Sequence, residues 1–190
     1  MKRFAFVFIM MALIVGGCAP AGYYGNVTPE HIPIAEEQKE GSIGTIQFSA
    51  EQFYITVDGF SAGAAQAINN ISYKGKNGLS LQDAWEGALL SSIARTRLFN
   101  NSDDIKYDIK IVIMDIIVPK GVATSPVKIA ANYKILNMDR LILEKTINST
   151  GKPAPQLSDP SRKIRSSYQN AVRISTELFI EELLRNADKF

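Results

Sequence analysis

The sequence predicts an α+β domain: a two-layer sandwich with two main helices packed on one face of a mainly antiparallel sheet. Three observations predict it. A helical apolar period runs through residues 81–98, and a longer one through residues 161–186. Between them lie three segments rich in β-formers, residues 107–118, 127–135 and 141–147, separated by turn residues. A helix, a three-stranded meander and a helix bury their apolar sides by stacking both helices against the sheet.

The chain opens Met1-Lys2-Arg3 and then runs apolar through residues 4–15. A basic start, a short apolar stretch and small residues make a signal peptide. The run is shorter than the roughly 20 apolar residues that span a bilayer. Gly16 and Gly17 follow, and then Cys18, the sole cysteine. Val15-Gly16-Gly17-Cys18 resembles the lipobox of bacterial lipoproteins. The resemblance implies diacylglycerol on the Cys18 thiol, cleavage after residue 17 and, in Gram-negative bacteria, acylation of the new amino terminus with a fatty acid such as palmitate. Two or more acyl chains give stable membrane attachment. By the Gram-negative sorting rule that the same resemblance imports, Ala19 in place of aspartate points to the outer membrane, facing the periplasm, over the inner one.

This divides the chain into a lipoprotein signal peptide at 1–17, the lipidated cysteine and a flexible tether at 18–42, and a single domain at 43–190. The tether is expected from Pro20, Pro29 and Pro33, its glycines and the polar run at 36–40. Two short strands are expected within residues 43–60, closed by the turn Asp58-Gly59. Residues 61–78 read as a loop. Gly75-Lys76-Asn77-Gly78 lacks the spacing of a phosphate-binding loop.

Ser80 is placed to cap the first helix, with Asp83 three residues on to complete a near capping box. Leu81, Ala84, Trp85, Ala88 and Ser92 share its apolar stripe. Arg95 and Arg97 suit the helix dipole at its end. Trp85 is expected in the core. In the strand at 107–118, Tyr107, Ile109, Ile111, Ile113 and Ile117 share one face, interrupted by Asp115. Val112, Met114, Ile116 and Val118 fall on the other. Lys128, Asn132 and Lys134 make that side of the next strand polar, so the four apolar residues need a cover. Either residues 43–60 supply it, or the patch is a docking face. Asn137-Met138-Asp139-Arg140 makes a hairpin turn, and residues 148–161 make a proline-containing loop. The last helix carries Ile164, Tyr168, Ala171, Val172, Ser175, Leu178, Phe179 and Leu183 on one stripe.

Removal of Lys2 and Arg3 leaves 19 basic side chains against 19 acidic ones. That balance argues against a nucleic-acid partner, which calls for a basic patch or stripe. His31 is the sole histidine and falls in the expected tether. A nucleophilic site needs its base held rigidly beside the nucleophile, and a zinc site needs several His or Cys ligands. No catalytic residue, metal ligand or cofactor is therefore expected, apart from the covalent lipid on Cys18.

The stretch Ser92-Ile93-Ala94-Arg95-Thr96-Arg97-Leu98-Phe99, the strand at 107–118, the strand pair around Ala131-Asn132-Tyr133-Lys134-Ile135 and 141–146, and the alanine-bearing last helix together resemble small Gram-negative envelope lipoproteins. Auxiliary lipoproteins of ABC-type lipid transport systems are among these. The resemblance implies a non-catalytic accessory component of a transport or envelope-assembly system, with an envelope protein as partner. An acyltransferase-type enzyme acting on lipid or glycan and a pilotin-like structural lipoprotein are the alternatives.

Overall fold

The computed structural model describes residues 27–50, 55–57, 60–62, 80–117 and 126–190. The elements are β1 (Ser42–Ala50), β2 (Ile55–Val57), β3 (Phe60–Ala62), α1 (Leu81–Thr96), β4 (Lys106–Ile117), β5 (Val127–Asn137), β6 (Arg140–Gly151) and α2 (Pro160–Arg185), followed by a 3₁₀ turn at Ala187–Lys189. The fold is α+β.

All six strands lie in one mixed sheet of order β3-β2-β4-β5-β6, with β1 also paired to β4. The meander β4-β5-β6 is antiparallel, as the sequence predicts. The other margin corrects the expectation. Both β1 and β2 run parallel to β4, along different stretches of it. Residues 42–50 therefore extend the sheet sideways and do not cover the outer face of β4. Phe53, within the stretch expected to supply that cover, lies outside the described residues.

Each long element follows from its local chemistry. Ser80 accepts a hydrogen bond from the Asp83 N–H at 3.0 Å, and Asp83 accepts one from the Ser80 N–H at 2.9 Å. This closed capping box starts α1 at Leu81. Arg97 ends it in the left-handed region, φ 56°. Met138 and Asp139 both take positive φ, 46° and 64°, which gives the two-residue turn that matches the twist of a hairpin. Asp159 caps α2 through the Arg162 N–H at 2.8 Å, with Pro160 at the first helical position.

The core lies between the sheet and the two helices. Tyr107, Ile109, Ile111 and Ile113 of β4 face inward and are buried. A bulge then reverses the alternation. Pairing passes from Ile113↔Ala131 to Asp115↔Ala130, and Met114 is the extra residue. One extra residue in a strand moves everything after it to the opposite face. Ile116 is thereby turned into the core at 1% exposed, and Ile117 is turned out.

The expected tether is also corrected over its described part. Val27 and Pro29 are buried. The Ala35 N–H donates to the Thr96 carbonyl at 2.8 Å, Lys39 N–H donates to the Leu98 carbonyl, and Asn100 N–H donates to the Lys39 carbonyl at 2.9 Å. Carbonyls in the last turn of a helix have no partner within it, and this segment supplies one to α1. Phe190 packs edge-on to Phe99 and Tyr107, with centroids 5.5 and 5.3 Å apart. Residues 27–41 thus belong to the domain.

Candidate functional site

Cys18, the predicted lipidation site, lies outside the described residues, as does Val118. The other residues of the predicted docking face are separated by the bulge. Val112 is buried, Met114 is 45% exposed, and Ile116 is in the core on the opposite face. These residues do not form one surface. What remains outward around Met114 is polar: Asn132 Nδ2 donates to Thr146 Oγ1 at 3.1 Å. Asp115 sits half-exposed beside the bulge, and burial pushes its carboxyl up, partly offset by a backbone hydrogen bond from Ile116.

The structure reveals a different concavity. A groove of about 470 Å³ is lined by Glu30 and His31 of the docked amino-terminal segment, Thr150 and Lys152 at the end of β6, and Asn170, Arg173, Ile174 and Glu177 of α2. Its polar wall is held in place. Asn170 donates to the Lys152 carbonyl at 2.6 Å and accepts a hydrogen bond from Arg173. Arg173 also lies 3.7 Å from a Glu30 carboxylate oxygen. On the far side, Arg95 donates to the Pro29 and Glu30 carbonyls, each at 3.0 Å. Two arginines from two helices therefore clamp the segment that leads back toward Cys18.

The sequence reading misses this groove because it places Glu30 and His31 in a free tether. The available signal was the spacing of Asn170 and Arg173, three apart and off the apolar stripe of α2. Chemically the groove offers fixed charge and hydrogen-bonding groups. No group of three or more His, Cys, Asp or Glu residues is close enough to hold a metal ion among the described residues. No described helix is long and apolar enough to cross a membrane.

A second polar cluster lies inside the core. Trp85 of α1, Tyr133 of β5 and Ser175 of α2 form a buried chain, with Tyr133 stacked on Phe179 at 4.3 Å between centroids. It is sealed on every side and joins the two layers. A serine within the apolar stripe of α2 was the signal for it, since a buried hydroxyl requires a partner.

No protein-family model matches the chain, and no curated protein is significantly similar to it. A solved structure shares its fold. The crystal structure of the protein XCC0632 from Xanthomonas campestris, of family DUF330, aligns with a TM-score of 0.58 at 12% identity, over 85% of this chain and 95% of that one. A second crystal structure, of an uncharacterized protein, aligns with a TM-score of 0.47 at 8% identity, over 77% of this chain and 99% of that one. At this identity the first likeness establishes a shared architecture, and the chain is similar in fold to the DUF330 protein.

Proposed function

We propose that this chain is an envelope lipoprotein, acylated on Cys18, whose domain serves without catalysis as an accessory component of a transport or envelope-assembly system. The observation that carries the reading is the pattern Val15-Gly16-Gly17-Cys18 directly after a short apolar run. The placement of Val27 refines it. Eight residues lie between Cys18 and Val27, where the chain is already buried in the domain. Fully extended, the nine Cα-to-Cα steps from Cys18 to Val27 reach at most about 30 Å, and a flexible chain of that length averages roughly 16 Å. An anchor at Cys18 therefore holds the domain close to the bilayer, with the groove beside the point where the anchor segment enters the fold.

The non-catalytic part of the reading is what the resemblance to envelope lipoproteins implies. The accessory role rests on the resemblance of the 92–99 stretch and the following elements to envelope lipoproteins. The test is membrane fractionation followed by cross-linking from the groove. A photoreactive residue at Glu177 should trap a component of a transporter or assembly machine in the outer-membrane fraction. A chain recovered wholly from the soluble fraction would contradict the anchored reading. Turnover of an acyl donor by the purified chain would contradict the non-catalytic one.

A further inference from the structure

The charges of the chain are unevenly placed. Without Lys2 and Arg3 it has 19 basic and 19 acidic side chains, yet residues 152–165 hold Lys152, Arg162, Lys163 and Arg165 against a single acid, Asp159. Three of these cations fall in the first two turns of α2. The dipole of a helix favours acids there and disfavours cations. Asp159 caps the helix, but no acid stands in its first turn. Arg165 is partnered within the chain, whereas Lys152, Arg162 and Lys163 make no ion pair among the described residues. Ile164 lies among them and is 38% exposed.

The anchor segment leaves the fold toward this end. Residues 34–39 share a cleft with Leu184 and Ala187, in the last turn of α2 and just beyond it. Glu30 and His31 lie beside Asn170 and Arg173. Followed backward, the segment therefore runs along α2 from its end toward its start. From Asn170 to Arg162 is about 12 Å of helix, within reach of the chain that joins Val27 to Cys18. Lys152 belongs to the same end. Its carbonyl accepts from Asn170 at 2.6 Å, and two residues on the Ala154 N–H donates to Ser166 Oγ at 3.0 Å.

We propose that Lys152 and the first turns of α2 rest on the surface of a bilayer that contains anionic phospholipid, so that the lipid anchor and this basic end together set the orientation of the domain. The inference rests on acylation at Cys18. The short tether holds the patch at high effective concentration beside the surface, so a few cations suffice. Each lysine or arginine close to an anionic surface strengthens the contact about fivefold. Ile164 adds an apolar side chain for the headgroup boundary. Lipid phosphates supply the negative charge that the first turn of α2 lacks.

The test uses the acylated chain in vesicles that carry a nitroxide on some lipid headgroups. Acylation leaves Cys18 without a free thiol, so Ser158→Cys, just before α2, takes a single fluorophore. Asp188→Cys, beyond the other end of α2, is the control. In phosphatidylcholine vesicles with a quarter phosphatidylglycerol, the probe at 158 should be quenched well beyond the probe at 188. High salt should release it, and phosphatidylcholine alone should not hold it. Arg162→Glu with Lys163→Glu should lower the ratio of docked to free domain about 25-fold. The new acids suit the helix dipole, so this variant should melt no lower than the unaltered chain. Equal quenching at 158 and 188 would overturn the proposal, as would quenching at 158 that is indifferent to phosphatidylglycerol and to the double substitution. Flotation with vesicles at high salt reads the acyl anchor separately. A chain that floats without quenching at 158 keeps its anchor and overturns the surface contact alone. A chain that does not float at high salt contradicts both.

Discussion

The indole N–H of Trp85 donates to the Tyr133 hydroxyl at 3.1 Å, and that hydroxyl meets Ser175 Oγ at 2.8 Å. Three elements distant in sequence are joined in this way by one buried oxygen. Phe48 of β1 packs edge-on to the same indole at 5.6 Å between centroids, so the parallel margin of the sheet is tied to the same point.

Tyr133→Phe should cost about 1–3 kcal/mol, because it leaves the Trp85 N–H and the Ser175 hydroxyl without this buried partner. Trp85→Ala should cost about 3–5 kcal/mol, since it also opens a large cavity. Urea unfolding monitored by circular dichroism measures both. Equal stability of Tyr133→Phe and the unaltered chain would show that the hydroxyl is not holding the layers.

The same tyrosine predicts an alkaline limit. Burial pushes the Tyr133 hydroxyl well above the ordinary tyrosine range, against the opposing pull of its hydrogen bonds with Ser175 and Trp85. Burial, and then Glu40, push Tyr107 in the same direction. Above pH of about 10 the unfolded chain loses these protons and the folded chain keeps them. The stabilisation is complete below that pH and should decline as pH rises beyond it. Tyr133→Phe should flatten the decline in unfolding free energy between pH 9 and 11. An identical slope in both chains would contradict this.

Two glycines predict opposite outcomes. A Cβ at Gly151 would collide with the Ser167 carbonyl oxygen and the Ala171 amide nitrogen of α2, all backbone. Gly151→Ala should therefore destabilise by about 1–3 kcal/mol or more, since β6 and α2 must separate. At Gly87, exposed on α1, a Cβ meets nothing within 4 Å. Gly87→Ala should stabilise by about 0.5–1 kcal/mol through helix propensity alone. Thermal unfolding of the two variants should shift in opposite directions.

The docked segment predicts a boundary. A chain beginning at Val27 should be more stable than one beginning at Ser42. The shorter chain loses the buried Val27 side chain, worth about 1.5–3 kcal/mol, and the hydrogen bonds that Ala35 and Lys39 donate to the end of α1. Hydrogen exchange should show Leu98 and the last turn of α1 protected in the longer chain and opened in the shorter. Equal protection would return residues 27–41 to the status of a tether.

The parts legible in the sequence were those whose cause is local. Ser80 with Asp83, the Met138-Asp139 turn and the apolar stripe of α2 each carry their own signal within a few residues. The rest depended on distant partners. The only mark of the Met114 bulge in the β4 sequence is Asp115, which interrupts the apolar face, and without the bulge Ile116 was read onto the wrong face. The polar, proline-containing segment before Ser42 reads as a free linker, because its hydrogen bonds go to carbonyls of α1 some 60 residues away. Glu30 and His31 were lost as groove residues for the same reason. The parallel pairing of β1 with β4 was equally hidden, since residues 42–50 alternate weakly and the choice of partner lies outside them.

The central claim is the lipid anchor, and intact-mass spectrometry of the chain extracted from membranes tests it most directly. The account predicts a chain that begins at Cys18 and carries two or three acyl chains, while Cys18→Ala remains a longer, lipid-free precursor. A mature chain with an unmodified Cys18, or a Cys18→Ala variant cleaved at the same bond and still acylated, would contradict it.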